Sequence, residues 1–397
     1  MVEPLDFSPS AVLATASAFI GHVALGTLTY NQVHARVQQH HRVRQLSWVI
    51  IAATAGIPLA WCAYAVMSGT GILLGWSASE HPLFVRLIVG SEQLVSLCAV
   101  VGWLLRWLRK PDRGRLTLLG TQTLDLGHPP GQPRLFPGRG PWFLQIPGNQ
   151  VTQLQITEKQ LRLPRLPREL DGLTIAHISD LHFDGKMPRV FFEQVIQQTN
   201  ALDADLVAVT GDLVDRPSCL DWIDTTLNLL TSRYGRFFVL GNHDTKLGDA
   251  SRLRQILTEG GAVDLGTRLH GLQIKGRTIL LAGNELPWFP QAANATPDES
   301  ALAAADVSVL LAHTPDQLGW ARQQGFDLML AGHTHGGQIR FPLWGPVIVP
   351  SRLGVKYASG TFFEPPTLLH VSRGVSGLFP IRLNCLPEVT RLVLRTD

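Results

Sequence analysis

Five short polar motifs constrain the fold of this chain more than any other feature, because each follows a short apolar run. They are Asp180–His182 (D-L-H), Gly211–Asp215 (G-D-L-V-D), Gly241–Asp244 (G-N-H-D), the single residue His313, and Gly332–Gln338 (G-H-T-H-G-G-Q). The apolar runs are typical of buried strands, and each is expected to end in a polar loop. In α/β folds, the loops at one edge of the sheet form binding and catalytic sites. The pattern therefore predicts an α/β domain with a site at that edge.

These motifs supply seven side chains that could bind metal, and none of them is a thiolate. They are Asp180, His182, Asp212, Asn242, His313, His333 and His335. Oxygen and nitrogen donors of this kind suit Mn, Fe, Zn or Mg. Seven ligands exceed what one tetrahedral ion with an open position requires, but they suffice for two ions that share a carboxylate. Two ions about 3.5–4 Å apart form an arrangement that hydrolyses phosphate esters.

Taken together and in this order, the motifs resemble those of the calcineurin-like metallophosphoesterase superfamily, in particular a membrane-anchored phosphodiesterase of the bacterial type. The resemblance covers about the C-terminal 230 residues. It implies a four-layer α/β/β/α sandwich, two divalent metal ions and a phosphoric ester hydrolase activity. Many relatives carry an aspartate in the loop after the strand predicted at Ile279–Ala282, whereas this chain has Asn284 and Glu285. That departure leaves the ligand set intact.

The resemblance also implies a role for each site residue. The first ion would be held by Asp180, His182 and His335. The second would be held by Asn242, His313 and His333, and Asp212 would bridge the two ions. His243 would lie over the phosphate as a proton donor or charge stabiliser, with Asp244 orienting its ring. A water activated by the metals would be the nucleophile and would attack in line.

Each of these residues also has a simpler structural interpretation. A single histidine after an apolar strand, such as His313, more often belongs to the core or to a loop, and Asp212 could form a turn. The joint occurrence of all five motifs favours the metal site. Asp215 is expected to brace its loop by hydrogen bonds rather than to bind metal, and His177 is expected to be structural.

The N-terminal region is apolar enough to indicate a membrane-spanning portion. Only 16% of the 397 residues are charged, and the mean hydropathy is +0.12, whereas ordinary soluble domains have about 25% charged residues. A span needs about 20 apolar residues, which predicts membrane helices at Ala11–Tyr30, Trp48–Trp76 and Leu83–Leu108. A signal peptide is the alternative for the first stretch, but it would begin with basic residues, and here Glu3 and Asp6 come first.

The third stretch contains Arg86 and Glu92. An ionisable group in a span usually faces a partner, and these two are too far apart in sequence for a pair within one helix. The alternative is that the span begins later, near Leu94. The segments Asn31–Gln45 and Arg106–Arg115 are basic, while the turn Ser77–Pro82 has no Lys or Arg. The positive-inside rule then predicts a multi-pass cell-membrane protein with its catalytic domain in the cytoplasm.

The predicted organisation has three parts. Residues 1–110 form a membrane region with about three transmembrane helices. Residues 111–165 form a Pro/Gly-rich linker with an added strand at Val151–Leu163, and residues 166–397 form the metallophosphoesterase domain. The four cysteines are scattered, without a disulfide framework.

The predicted function is metal-dependent hydrolysis of a phosphodiester, phosphomonoester or pyrophosphate bond. Tethering raises local concentration at the bilayer, so a lipid-linked substrate is expected. Arg373 is the predicted substrate-binding residue, since arginine makes bidentate contacts with phosphate. One alternative is a non-catalytic membrane scaffold, which predicts gaps in the ligand set that this sequence does not show. The other is a nuclease of the same superfamily, but a net charge of +3 argues against a nucleic-acid partner.

Overall fold

The computed structural model describes residues 9–37, 39–68, 83–108, 115–128, 131, 133–136, 138, 140–292, 297, 299–377 and 379–397. The chain divides into two compact units, Met1–Lys110 and Pro111–Asp397. They are called the N-terminal unit and the C-terminal unit, and each is described by itself.

The N-terminal unit consists of long helices at the three predicted stretches: α1 (Pro9–Arg36), α2 (His40–Ser68) and α3 (Leu83–Leu108). Two segments, His41–Ala60 and Arg86–Leu105, are long and apolar enough to cross a membrane. Large apolar side chains such as Trp48, Leu59 and Leu94 are exposed, which favours contact with lipid over water. The number of spans stays a prediction, and the turn predicted at Ser77–Pro82 lies outside the described residues.

Glu92 in α3 finds its partner in α1 and not in its own helix. Nδ1 of His22 lies 2.7 Å from Oε1 of Glu92, and both side chains are buried. The two helices approach closely here, because a Cβ on Gly21 would collide with the carbonyl oxygen of Glu92. Only glycine permits this contact, which places an acid and a base between α1 and α3.

The C-terminal unit contains two mixed sheets and a short hairpin. The seven-stranded sheet has the spatial order β1 (Leu116–Asp125), β2 (Gln153–Leu163), β15 (Glu388–Thr396), β3 (Thr174–Ile178), β4 (Leu206–Thr210), β5 (Arg236–Val239) and β6 (Val263–Asp264). The six-stranded sheet has the order β13 (Gly360–Glu364), β14 (Thr367–Val371), β10 (Leu328–Ala331), β9 (Val307–Ala312), β8 (Arg277–Asn284) and β7 (His270–Ile274). The hairpin pairs β11 (Arg340–Phe341) with β12 (Gly345–Pro346).

Strands β3 to β6 run parallel to one another, as do β8, β9, β10 and β14. Parallel strands need crossover connections. The helices of this unit are α4 (Arg189–Asn200), α5 (Ser251–Glu259), α6 (Glu299–Ala304) and α7 (Leu318–Gln324). In α4 the buried residues recur at helical spacing, with Phe191, Phe192, Val195, Ile196 and Thr199 on one face. These observations confirm the predicted mixed α/β class.

The apolar core follows from the two-residue period of the strands. In β4, Leu206 and Ala208 pack into a cluster that joins both sheets. Val207 and Val209 point the other way, into a cluster that includes the apolar face of α4. Strand β10 divides its side chains between the shared cluster and a third cluster, which includes residues of α7. The four-layer order of the sandwich stays a prediction.

A polar cluster interrupts the core shared by the two sheets. Nδ1 of His177 in β3 lies 2.9 Å from Nδ1 of His370 in β14, and Lys159 Nζ lies 2.8 Å from Glu388 Oε1 and 3.2 Å from Nε2 of His370. Burial lowers the pKa of His177 to about 3 and that of His370 well below its ordinary value, so both rings are neutral. Hydrogen bonds thus join the sheets alongside apolar contacts.

One part of the predicted linker is wrong. Leu116–Asp125 forms strand β1, which pairs antiparallel with β2. Its side chains are almost all exposed, so the strand lacks the alternation of apolar and polar residues that marks a half-buried strand. The Pro- and Gly-rich sequence that follows it obscured the strand further. The added strand predicted at Val151–Leu163 is present as β2.

Candidate metal centre

All seven predicted ligands lie in loops that follow parallel strands. Asp180 and His182 follow β3, Asp212 follows β4 and Asn242 follows β5, in the seven-stranded sheet. His313 follows β9, while His333 and His335 follow β10, in the six-stranded sheet. The carboxyl ends of neighbouring parallel strands lie at one edge of a sheet. The folding of both sheets therefore brings distant motifs to one place.

The side chains form two groups with one residue in common. Potential ligand atoms of Asp180, His182, Asp212 and His335 all lie within 4.8 Å of one another, and so do those of Asp212, His313 and His333. These six residues are all buried. Asn242 joins the second group, because its Oδ1 lies 3.0 Å from Nε2 of His313. Asp212 is the shared residue, as the resemblance implies for a bridging ligand.

Three buried atoms of this cluster are better explained as metal ligands than as hydrogen-bonding groups. Nε2 of His182, Oδ2 of Asp212 and Nδ1 of His335 are buried and accept or donate no hydrogen bond within the described structure. Buried polar atoms are almost always satisfied, and exceptions need an explanation such as an ion. Two carboxylates and four imidazoles form a donor set suited to divalent cations. The residues present therefore fit the divalent metals that the resemblance implies.

The backbone of the cluster is also unusual. Positive φ angles occur at Asp180 (56°), His182 (50°), Asp212 (55°), His333 (70°) and His335 (50°). Left-handed conformations are uncommon for residues other than glycine and cost about 1–3 kcal/mol each unless the surroundings impose them. Five strained residues at one place indicate that the fold loses some local stability in directing these side chains toward one another.

Two positions next to the ligands are glycine because a larger residue would collide with neighbouring side chains. A Cβ on Gly332 would collide with the side chains of Ser179 and Asp180, and one on Gly241 would collide with the carboxylate of Asp212. Both positions let a loop from one strand pass directly against a ligand from another.

Asp215 connects two histidines of the site. Its Oδ1 lies 2.9 Å from Nδ1 of His182, and its Oδ2 lies 2.8 Å from Nδ1 of His243 and 2.6 Å from Nζ of Lys246. Burial alone would raise the pKa of Asp215, but His182 and His243 hold it well below its ordinary value. Asp215 is therefore ionised and fixes the orientation of both rings, a larger role than the loop bracing predicted for it.

His243 lies against the first group of ligands. Its ring packs edge-on against His182 with centroids 4.4 Å apart, and its backbone N–H donates to Oδ1 of Asp212 at 2.7 Å. Burial lowers the pKa of His243 to about 4, so the ring is neutral at pH 7.

Trp288 lies against the second group of ligands. Its ring, which the sequence analysis did not single out, lies 5.4 Å from that of His313 and 5.0 Å from that of His333.

A family model described as calcineurin-like phosphoesterase matches residues 173–337. The chain is 30% identical over 224 residues to the phosphodiesterase YaeI of Escherichia coli (strain K12), a match that covers 55% of this chain and 81% of that protein. This chain belongs to the calcineurin-like phosphoesterase family. It is therefore a metallophosphoesterase, which confirms the predicted enzyme class.

Two further relatives extend the comparison. The uncharacterized metallophosphoesterase YkuE of Bacillus subtilis (strain 168) is 28% identical over 251 residues, covering 61% of this chain and 86% of the relative. A transmembrane protein with metallophosphoesterase domain from Danio rerio is 28% identical over 261 residues, covering 62% of this chain but only 59% of the relative. This relative and the two apolar helices together indicate membrane association of the metallophosphoesterase.

The contacts of Asp244 favour a role in the backbone rather than the ring-orienting role predicted for it. Its carboxylate accepts hydrogen bonds from backbone N–H groups of Asp212, Leu213, Val214 and Gly241, at 2.8–3.1 Å. Burial and the charge of Asp212 raise the pKa of Asp244 to about 7. Asp244 thus ties the second motif to the third, and Asp215 orients His243 in its place.

The guanidinium of Arg373 contacts two side chains of the protein itself. Its Nε lies 2.9 Å from Oε2 of Glu388, and another guanidinium nitrogen donates to Oε1 of Gln155 at 2.5 Å. Burial alone would raise the pKa of Glu388, but Lys159 and Arg373 bring it well below its ordinary value. The guanidinium is thus already neutralised, and these contacts give no support to the predicted contact with substrate.

Glu285 lies in the loop where many relatives carry an aspartate, and in this chain it has a structural role. Its carboxylate accepts a hydrogen bond from the backbone N–H of Leu240 at 2.5 Å and forms an ion pair with Arg254. Nη1 of Arg254 also lies 2.7 Å from Oδ1 of Asp264. Leu240 directly precedes the G-N-H-D motif, so this buried ion-pair network holds that loop from behind. Composition and spacing gave no signal for it, because its members are far apart in sequence.

Proposed function

We propose that the metallophosphoesterase hydrolyses a phosphodiester, phosphomonoester or pyrophosphate bond with two divalent ions bound side by side. The observation that carries this proposal is the position of Asp212, which belongs to both ligand groups and whose buried Oδ2 has no hydrogen-bond partner in the described structure. A carboxylate shared by two ions is what a dinuclear centre requires. Among the substrates, a diester is favoured by the relative named a phosphodiesterase.

The proposed assignment divides the ligands between two positions. The first position comprises Asp180, His182 and His335, and the second comprises Asn242, His313 and His333. Divalent ions held by these residues, whether Mn, Fe, Zn or Mg, would supply Lewis acidity and an activated water for attack on phosphorus. Asp215 and Asp244 hold these side chains and their loops in position, since hydrogen bonds to ligands fix ring orientation and tautomer.

His243 is proposed to act on the phosphoryl group. The pKa of His243 is lowered to about 4, and its Nδ1 contacts the ionised carboxylate of Asp215, which only accepts hydrogen bonds. Nδ1 therefore carries the proton of the neutral ring, and Nε2 can donate to a phosphoryl oxygen only when the ring is protonated. The protonated ring would stabilise developing negative charge or give its Nε2 proton to the leaving oxygen. Asp215 keeps the ring in place through Nδ1.

The proposed setting is a multi-pass protein of the cell membrane with the C-terminal unit on the cytoplasmic side and a lipid-linked phosphoester as substrate. The basic segments of the sequence support this orientation, and a transmembrane relative supports the tether. Tethering places the metal centre where lipid-linked substrates are concentrated.

The test compares Asp212→Asn with Asp221→Asn, which makes the same chemical change at an exposed position. The full chain in detergent, supplied with Mn, is assayed on bis(p-nitrophenyl) phosphate, and its metal content is measured. Asp212→Asn should retain less than about 1% of the activity and lose bound metal, while Asp221→Asn should stay within about twofold of wild type. An Asp212→Asn protein with full turnover would refute the shared-carboxylate centre.

A further inference from the structure

A group of large apolar side chains is exposed beside the metal centre. We call it the apolar rim, and it comprises Ile339, Phe341, Leu343, Trp344, Ile348 and Phe379. Leu343 is 88% exposed, Phe379 64% and Trp344 47%. Single exposed apolar residues are normal on protein surfaces, but a concentration of them marks an interaction site.

The apolar rim begins where the last ligand motif ends. Gln338 is the final residue of that motif, and its side-chain amide donates to the carbonyl of Phe379 at 2.8 Å. A Cβ on Gly337 would lie 2.5 Å from that of Pro346 in β12, so the β11–β12 hairpin packs directly against the turn that carries His335. The hairpin that carries Phe341, Leu343 and Trp344 therefore packs against the ligand loop.

The hairpin holds its apolar tip outward. Strands β11 and β12 pair through Arg340–Pro346 and Phe341–Gly345, which leaves Leu343 and Trp344 at the turn. Leu343 adopts φ 67°, a conformation that a leucine takes only when its surroundings impose it. The backbone thus fixes a large apolar residue in a position that water does not favour.

The same segment carries basic side chains and no acidic ones. Residues 338–356 include Arg340, Arg352 and Lys356 and no acidic residue. Arg352 pairs with Asp316 and Lys356 with Glu364, whereas no carboxylate of the described chain forms an ion pair with Arg340. Tryptophan and arginine are typical of the headgroup level of a bilayer, where anionic lipids attract basic side chains.

The chain itself brings a bilayer near. Seven residues separate the end of α3 at Leu108 from the start of β1 at Leu116, and this connection spans at most about 29 Å. A membrane that holds the apolar segment Arg86–Leu105 is consequently the apolar partner present at the highest local concentration.

The geometry points to a bilayer as the occupant: the apolar rim enters the headgroup region of an anionic membrane and presents the metal centre to phosphoesters held at that level. The class of substrate rests on the function proposed above, whereas the membrane contact does not.

The test places a photo-crosslinking amino acid, p-benzoylphenylalanine, at Leu343 of the full chain, reconstituted in vesicles that contain radiolabelled phosphatidylglycerol. The matched control carries the same group at Leu229, a leucine of the C-terminal unit that is 55% exposed and lies outside the rim. We expect position 343 to capture at least about fivefold more lipid than position 229. Equal capture at the two positions would overturn the inference, and so would a crosslink from position 343 to a second copy of the chain in place of lipid.

Vesicles that carry the position 229 variant, whose label lies outside the rim, are assayed on bis(p-nitrophenyl) phosphate with Mn. Lipid capture at position 343 without turnover would leave the membrane contact standing and remove the proposed function. Turnover without preferential capture at position 343 would leave the proposed function standing and remove the membrane contact. The two failures are therefore distinguishable.

Discussion

Oδ2 of Asp215 lies 2.8 Å from Nδ1 of His243, and the other oxygen of the same carboxylate binds the ring of His182 at 2.9 Å. One aspartate thus orients a proposed metal ligand and the residue proposed to face the phosphate. Asp215→Asn keeps the size of the side chain but removes its charge. We expect activity on a chromogenic diester to fall about 10–100-fold, measured as kcat at saturating Mn. Asp221→Asn is the exposed control, and an unchanged kcat for Asp215→Asn would contradict the orienting role.

Chelation should destabilise the C-terminal unit. Without ions, the buried carboxylates of Asp180 and Asp212 lie close together, and Oδ2 of Asp212 is unsatisfied. Adding metal at 100 times its dissociation constant should raise the free energy of unfolding by about 2.7 kcal/mol. Thermal unfolding with EDTA and with Mn measures this difference. Asp212→Asn should respond far less than wild type, and an equal response would show that the metal binds elsewhere.

Arg373→Met separates the substrate role predicted from sequence from the structural role indicated by the contacts. Breaking the buried pair with Glu388, whose side chain is only 3% exposed, should cost about 3–5 kcal/mol. The KM for a soluble diester should stay unchanged, because the guanidinium is already paired. Arg233→Met is the control, since this arginine is 62% exposed in its pair with Asp205 and the pair should contribute less than about 1 kcal/mol. A higher KM at unchanged stability would restore the phosphate contact.

Acid should unfold the C-terminal unit partly through His177 and His370. Both have a folded-state pKa below the ordinary value of 6.5, about 3 for His177. The unfolded chain therefore binds more protons below pH 6.5, and stability present above that pH is lost as the pH falls toward about 3. Each histidine contributes a slope of about 1.4 kcal/mol per pH unit. Unfolding measured between pH 7 and 5 should show a shallower slope for His370→Gln, with the exposed His128→Gln as control. An identical slope would exclude this linkage.

The ligand residues could be predicted because each motif directly follows a buried strand, and strand ends converge in a parallel sheet. The supporting contacts could not. Asp244 follows His243 in sequence, yet the loop turns its carboxylate toward the backbone of Leu213 and Val214. Glu285 and Arg254 meet only after folding, and neither lies in a recognisable motif.

Strand β1 was missed for a different reason. A strand is recognised in sequence by the burial of alternate side chains, and β1 exposes nearly all of its own. Its stability comes from backbone pairing with β2, which leaves no apolar pattern. Glu92 illustrates the same limit in the N-terminal unit, since its partner, His22, is 70 positions away.

Strand β15, Glu388–Thr396, lies between β2 and β3 and hydrogen-bonds to both. Of the strands in that sheet it is the last to be synthesised. The phosphoesterase sheet consequently cannot close until β15 has emerged from the ribosome, long after the apolar helices have been synthesised. Insertion of those helices into a membrane can then precede assembly of the metal centre, and a chain truncated before Glu388 would lack the strand that joins β2 to β3.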